Sequence, residues 1–187
     1  MRVGIVAIAL LAAVALTGSV LAASALKDPK SLALRKSDFP SNATLANENV
    51  GRTTQLPNGG TGKGYMAGYK FRNGSRDEEV VITVIATGAA SQARSLFAAL
   101  KKEVLKQRKT DTTAVLPKYG DEQFRATQYD GRGPNVWATE LLVRKNTVVW
   151  TLNVGAHPST SKPFAKAQAL AELKKYAAKQ KLRAGSG

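Results

Sequence analysis

Chemistry in this chain has to be made from few reactive side chains. The sequence holds one histidine, His157, and no cysteine. Thiol catalysis, thiolate-bound zinc and iron–sulfur sites are therefore excluded, and any histidine-dependent triad rests on His157. His157 lies in Gly155-Ala156-His157-Pro158, with Ser159 and Ser161 close behind as candidate nucleophiles. No Gly-x-Ser-x-Gly nucleophile elbow occurs in the chain. An exposed loop histidine is the expected reading. A secreted hydrolase using His157 with a nearby serine or carboxylate is the alternative.

The carboxylates do not pair for acid–base work. Asp121 and Glu122 open a strand pattern, where neighbours point to opposite faces, so a turn or structural role is expected. Asp77-Glu78-Glu79 sits at a hairpin shoulder without the regular oxygen spacing of a calcium loop, and reads as a solvated turn. The run Gly59-Gly60-Thr61-Gly62-Lys63-Gly64 has the composition of a phosphate loop but not its pattern. That pattern needs glycine at position 57 and Ser or Thr at 64, which hold Pro57 and Gly64. A non-enzymatic protein follows as the expectation, with no catalytic residue, cofactor or metal site.

Charge is the stronger signal. The 187 residues carry 28 Lys+Arg against 13 Asp+Glu, a formal net charge of +15. Much of it falls on two helical stretches. In the first, Arg94, Lys101, Lys102, Lys106, Arg108 and Lys109 lie outside the apolar stripe; in the second, Lys174, Lys175 and Lys179 do. These nine are the candidate polyanion-binding residues. Their partners would be anionic lipid headgroups, acidic envelope polymers or an unknown protein. Nucleic acid is disfavoured, because no nucleic-acid signature occurs and Trp137 and Trp150 sit in strand patterns as core residues. A solvated face that keeps the protein soluble is the competing reading.

The elements that must position these residues follow from periodicity. Tyr65, Ala67, Tyr69 and Phe71 alternate with Met66, Gly68 and Lys70, which predicts a strand with one buried face. Asn73-Gly74 is a hairpin turn signal. The β-branched run over 79–86 predicts a central strand buried on both faces. A helix follows over 90–107, with Ala93, Leu96, Phe97, Leu100 and Val104 on one side. Strands are predicted over 122–128, 136–144 and 147–154, the last two joined at Lys145-Asn146. A C-terminal helix over 162–182 buries Leu170, Leu173, Tyr176 and Ala177, with Ser161 as its N-cap. The fold class is thus α+β: a mainly antiparallel, five-stranded sheet packed with two amphipathic helices.

Residues 26–63 read as a strap of loop chemistry, pinned to the body by Leu34 and Phe39, and 64–187 as the α+β domain. Residues 1–25 read as a signal peptide. After Arg2 the chain is uncharged to Ala25, densest in apolar residues from Val3 to Leu16, and Ala23-Ser24-Ala25 fits a small-x-small cleavage site before Leu26. An uncleaved membrane anchor is the alternative. A secreted or extracytoplasmic location follows, and the lack of cysteine excludes a bacterial lipoprotein.

Three motifs carry a resemblance: Leu34-Arg35-Lys36-Ser37-Asp38-Phe39-Pro40, Tyr119-Gly120-Asp121-Glu122, and the hairpin Leu142-Val143-Arg144-Lys145-Asn146-Thr147-Val148-Val149. Together they are similar to small exported actinobacterial domains of the sensor-like and lipoprotein-like kind, and the layout resembles the PsbP/Mog1-like sandwich. The resemblance implies an exported binding or sensor-like module at the cell envelope, and carries over no ligand or binding residue. The chain departs from the lipoprotein members in lacking the anchoring cysteine, and from sensor kinases in lacking a kinase region.

Overall fold

The computed structural model describes residues 26–56, 59–107, 109–110, 115–129, 135–156 and 162–185. The expected signal segment 1–25, Arg108, His157, Ser159 and Ser161 lie outside them. Among the described residues the architecture is α+β, with one wholly antiparallel sheet and two helices. In chain order the strands are β1 (Thr44–Gln55), β2 (Thr61–Asn73), β3 (Arg76–Thr87), the two-residue β4 (Lys109–Thr110), β5 (Glu122–Tyr129), β6 (Val136–Lys145) and β7 (Val148–Ala156). Helix α1 spans Ala90–Gln107 and α2 spans Lys166–Gly185. The sheet order is β1-β2-β3-β7-β6-β5-β4.

The β2–β3 and β6–β7 hairpins form where turn chemistry allows. Asn73 pairs with Arg76 across a turn in which Gly74 takes φ 62°. Lys145 pairs with Val148 across a turn in which Asn146 takes φ 52°. Glycine and asparagine tolerate this left-handed region best. The β-branched run places β3 in the middle, between β2 and β7, as its burial on both faces predicts.

Strand alternation sorts the core into two layers on opposite faces of the sheet. Val80, Ile82 and Val84 of β3, Leu141 and Val143 of β6, and Val148, Trp150, Leu152 and Val154 of β7 pack with Leu173, Tyr176 and Ala177 of α2. Their neighbours Leu142 and Val149 point the other way and pack with Ala93, Leu96 and Phe97 of α1. The strap ahead of β1 joins the α2 layer through Leu32, Ala33, Leu34, Phe39 and Ala43. Leu34 and Phe39 are buried, as expected of the pinning residues.

The structure corrects three expectations. The sheet has more than five strands, because β1 and the short β4 join it. Residues 44–55, read as loop, are a strand whose Asn47-Glu48-Asn49 centre has no apolar alternation. It needs none: β1 is an edge strand whose residues 44–50 are exposed, held by backbone pairing to β2. Finally, α2 begins at Lys166 rather than 162, because Phe164 is fully buried in an antiparallel bridge with Val136, with hydrogen bonds of 2.8 Å in both directions.

Candidate functional site

The three sequence motifs converge on structural clamps. Arg144, buried on β6, donates to Asp121 Oδ2 at 3.1 Å and to Glu122 Oε1 at 3.0 and 3.2 Å. Asp121 Oδ2 also accepts the Asn146 amide at 2.8 Å, tying the β6–β7 turn to the start of β5. The adjacent carboxylates therefore meet at one guanidinium, because Asp121 precedes β5 and escapes strand alternation. Gly120 is required for the approach: a Cβ there would lie 2.5 Å from the Arg144 carbonyl oxygen.

In the first motif, Phe39 sits between two rings, 4.3 Å from Tyr69 and 5.0 Å from Tyr176. Asp38 accepts from Arg183 at 2.7 and 2.9 Å and from the Arg35 amide at 2.7 Å. Burial opposes ionisation of Asp38, but these hydrogen bonds and the charges of Arg183 and Lys179 outweigh it and hold the carboxyl below its ordinary value.

Helix α2 turns much of its polar chemistry inward. Gln180, fully buried, accepts the Leu34 amide at 3.1 Å and donates to the Leu32 carbonyl at 2.8 Å. Lys179 donates to the Asp38 carbonyl, and Lys181 to the Lys118 carbonyl at 2.9 Å. Lys175 pairs with Glu172 at 3.3 Å and lies over the Tyr176 ring. Lys174 is half-buried.

Helix α1 is different. Arg94, Lys101, Lys102 and Lys106 are exposed on its outer side. Lys106 pairs with Glu103 at 3.0 Å, Arg94 approaches Glu122 at 3.7 Å, and Lys101 lies 5.1 Å over the Phe124 ring. Exposed pairs of this kind are weak and screened. Lys109 falls in β4. Since α1 and α2 cover opposite faces of the sheet, the candidate residues on the two helices do not make one surface. The α1 group forms a patch; Lys174, Lys175 and Lys179 stand across the molecule from it.

Two further features were missed in the sequence. One is a half-open groove of about 350 Å³ between the strap and β1–β2, lined by Lys30, Leu34, Arg35, Glu48, Tyr65 and Tyr69 among others. Glu48 accepts from the Tyr65 hydroxyl at 2.9 Å and pairs with Lys30 at 2.9 Å. These two hydrogen bonds lower the Glu48 pKa, while burial and then the Glu48 contact raise that of Tyr65. Within the groove, Lys30 and Glu48 thus satisfy one another.

The other is Glu78. The sequence predicts a solvated turn here, yet Glu78 is fully buried. Strand β3 starts at Arg76, so alternation back from Val80 carries Glu78 onto the α2 face. Its Oε1 accepts from Asn73 Nδ2 at 3.2 Å, and Arg76 Nη1 stands 3.9 Å away. Arg76 itself lies over the Phe164 ring at 4.4 Å. Among the described residues, Glu78 Oε2 and the Tyr176 hydroxyl are buried without a hydrogen-bond partner. Burial, then the charge of Glu172, push the Glu78 carboxyl up to about 7, against the Asn73 hydrogen bond and the charges of Arg76 and Lys175.

Among the described residues, no group of three His, Asp or Glu side chains could hold a metal ion, and no helix is long and apolar enough to cross a membrane. No family model, curated protein or solved structure matches this chain.

Proposed function

We propose that the chain is an exported, non-enzymatic binding or sensor-like domain acting at the cell envelope, and that it meets anionic partners through helix α1. The observation that carries this reading is the outward patch of Arg94, Lys101, Lys102 and Lys106, in which Lys106 pairs with Glu103 and Arg94 approaches Glu122. The apolar side of α1 packs on the sheet, and these cations lie outside that packing. Export rests on the signal-like composition of residues 1–25. The reading includes the likeness to the PsbP/Mog1-like sandwich drawn from the sequence, a layout of binding and assembly modules.

The test is retention on an acidic polymer matrix as a function of salt. Wild-type protein is expected to bind with a steep negative dependence on salt, because exposed contacts are screened beyond about 8 Å at physiological ionic strength. A Lys101→Glu, Lys102→Glu, Lys106→Glu variant should elute at much lower salt while keeping its circular dichroism spectrum. Unchanged retention in the folded variant overturns the reading and leaves these lysines to solubility.

A further inference from the structure

The α1 patch is not purely polar. Leu105 is 48% exposed and stands inside it. It follows the buried Val104 by one residue, which turns it about 100° away from the sheet-facing stripe. Lys101 precedes it by one helical turn and Lys102 by slightly less, so both lysines flank it on the helix surface. Exposed Ala98 lies on the same side, one turn before Lys102. The face thus presents an apolar centre with cations around it and its acids, Glu103 and Glu122, at the margins.

That combination discriminates between anionic partners. A soluble acidic polymer pairs with the lysines and offers Leu105 nothing. An anionic bilayer offers phosphates to the cations and an acyl boundary to the leucine, and long lysine stems keep their charge in the headgroup layer while the apolar centre sinks below it. We propose that the outer face of α1 docks on an anionic phospholipid surface, with Arg94, Lys101, Lys102 and Lys106 against headgroup phosphates and Leu105 entering the interface. This rests on the polyanion reading above and narrows it to a membrane.

The experiment uses full-length chain and vesicles of phosphatidylglycerol in phosphatidylcholine. Vesicles of phosphatidylcholine alone supply the baseline, since the apolar N-terminal segment contributes to both. The chain has no cysteine, so a Leu105→Cys variant carries a single environment-sensitive label. That label should shift to the blue on anionic vesicles and stay unshifted on the neutral ones or with soluble polyphosphate. Leu105→Ser should weaken the anionic-vesicle increment by about fivefold to tenfold and leave retention on the acidic polymer unchanged, as expected for one side chain leaving an apolar environment. Lys101→Glu with Lys102→Glu should weaken both by at least about tenfold. An unshifted label, or a Leu105→Ser variant that binds vesicles like wild type, overturns the membrane proposal while the polymer arm still supports a polyanion surface. Full retention of both activities in the folded double-glutamate variant overturns that reading as well.

Discussion

Helices α1 and α2 carry similar basic residues and put them to opposite uses. Both bury an apolar stripe on the sheet, but α2 has a second neighbour. The strap lies against it, and α2 answers with Gln180 to the Leu32 and Leu34 backbone, Lys179 to the Asp38 carbonyl and Arg183 to the Asp38 carboxylate. Buried strap carbonyls and amides need partners, and polar side chains on the adjoining helix are the ones available. Helix α1 has the sheet on one side and exposed cations on the other. A basic helix therefore reveals its role through what lies beside it, and charge counted along the chain does not separate the two cases.

The largest way to break this comparison is at Gln180. Replacing it with alanine strips a donor and an acceptor from the buried strap and should cost about 3 kcal/mol, since each orphaned buried group costs roughly 1–3 kcal/mol. Urea denaturation would read the loss as a lower midpoint. A Gln180→Ala protein as stable as wild type would mean that the strap does not depend on α2.

A second contrast lies beneath α2, in the titration of Glu78. Its folded pKa of about 7 lies above the ordinary 4.5. The folded state therefore holds this proton more tightly than the unfolded one. Stability is full below the unfolded value and falls as pH rises from there to about 7, then levels off. At about 1.36 kcal/mol per pKa unit the loss is on the order of 3 kcal/mol. Glu78→Gln keeps the neutral shape, so it should flatten the decline and leave the variant more stable than wild type at pH above 7. Thermal unfolding across pH checks both. A wild-type profile that rises through this window would show that Arg76 and Asn73 favour the ionised carboxylate.

What was legible in the sequence follows the same division. Strands with one apolar face against a helix announce themselves, as in Tyr65–Phe71 and in Val148, Trp150, Leu152 and Val154. The stripe Ala93, Leu96, Phe97 and Val104 placed α1 at its observed bounds. Strand β1 was hidden because an edge strand held by backbone pairing leaves no side-chain signal. Glu78 was hidden because the strand was started at Glu79; one more turn of the alternation, from Val80 back to Glu78, would have placed a carboxylate in the core. Gln180 carried a signal too, since it continues the buried line of Leu173, Tyr176 and Ala177. The separation of the two basic groups could not be read at all, because it depends on which face of the sheet each helix covers.

The smallest expected effect is the sharpest statement about α1. Its cations should matter for stability far less than their number suggests. Lys101 has the best case for a structural role, with its ammonium 5.1 Å over the Phe124 ring. An exposed cation–π contact is worth about 0.5–1 kcal/mol and its loss is partly offset by freed side-chain entropy. Lys102 has exposure and solvent, and surface substitutions of that kind stay within about 0.5 kcal/mol. Lys101→Ala with Lys102→Ala should therefore shift the urea midpoint by less than Gln180→Ala by a wide margin, and the change should shrink with added salt only to the extent that Glu122 and Glu103 contribute. A loss comparable to that at Gln180 would show that α1, like α2, uses its cations to hold the fold, and the difference between the two helices would disappear.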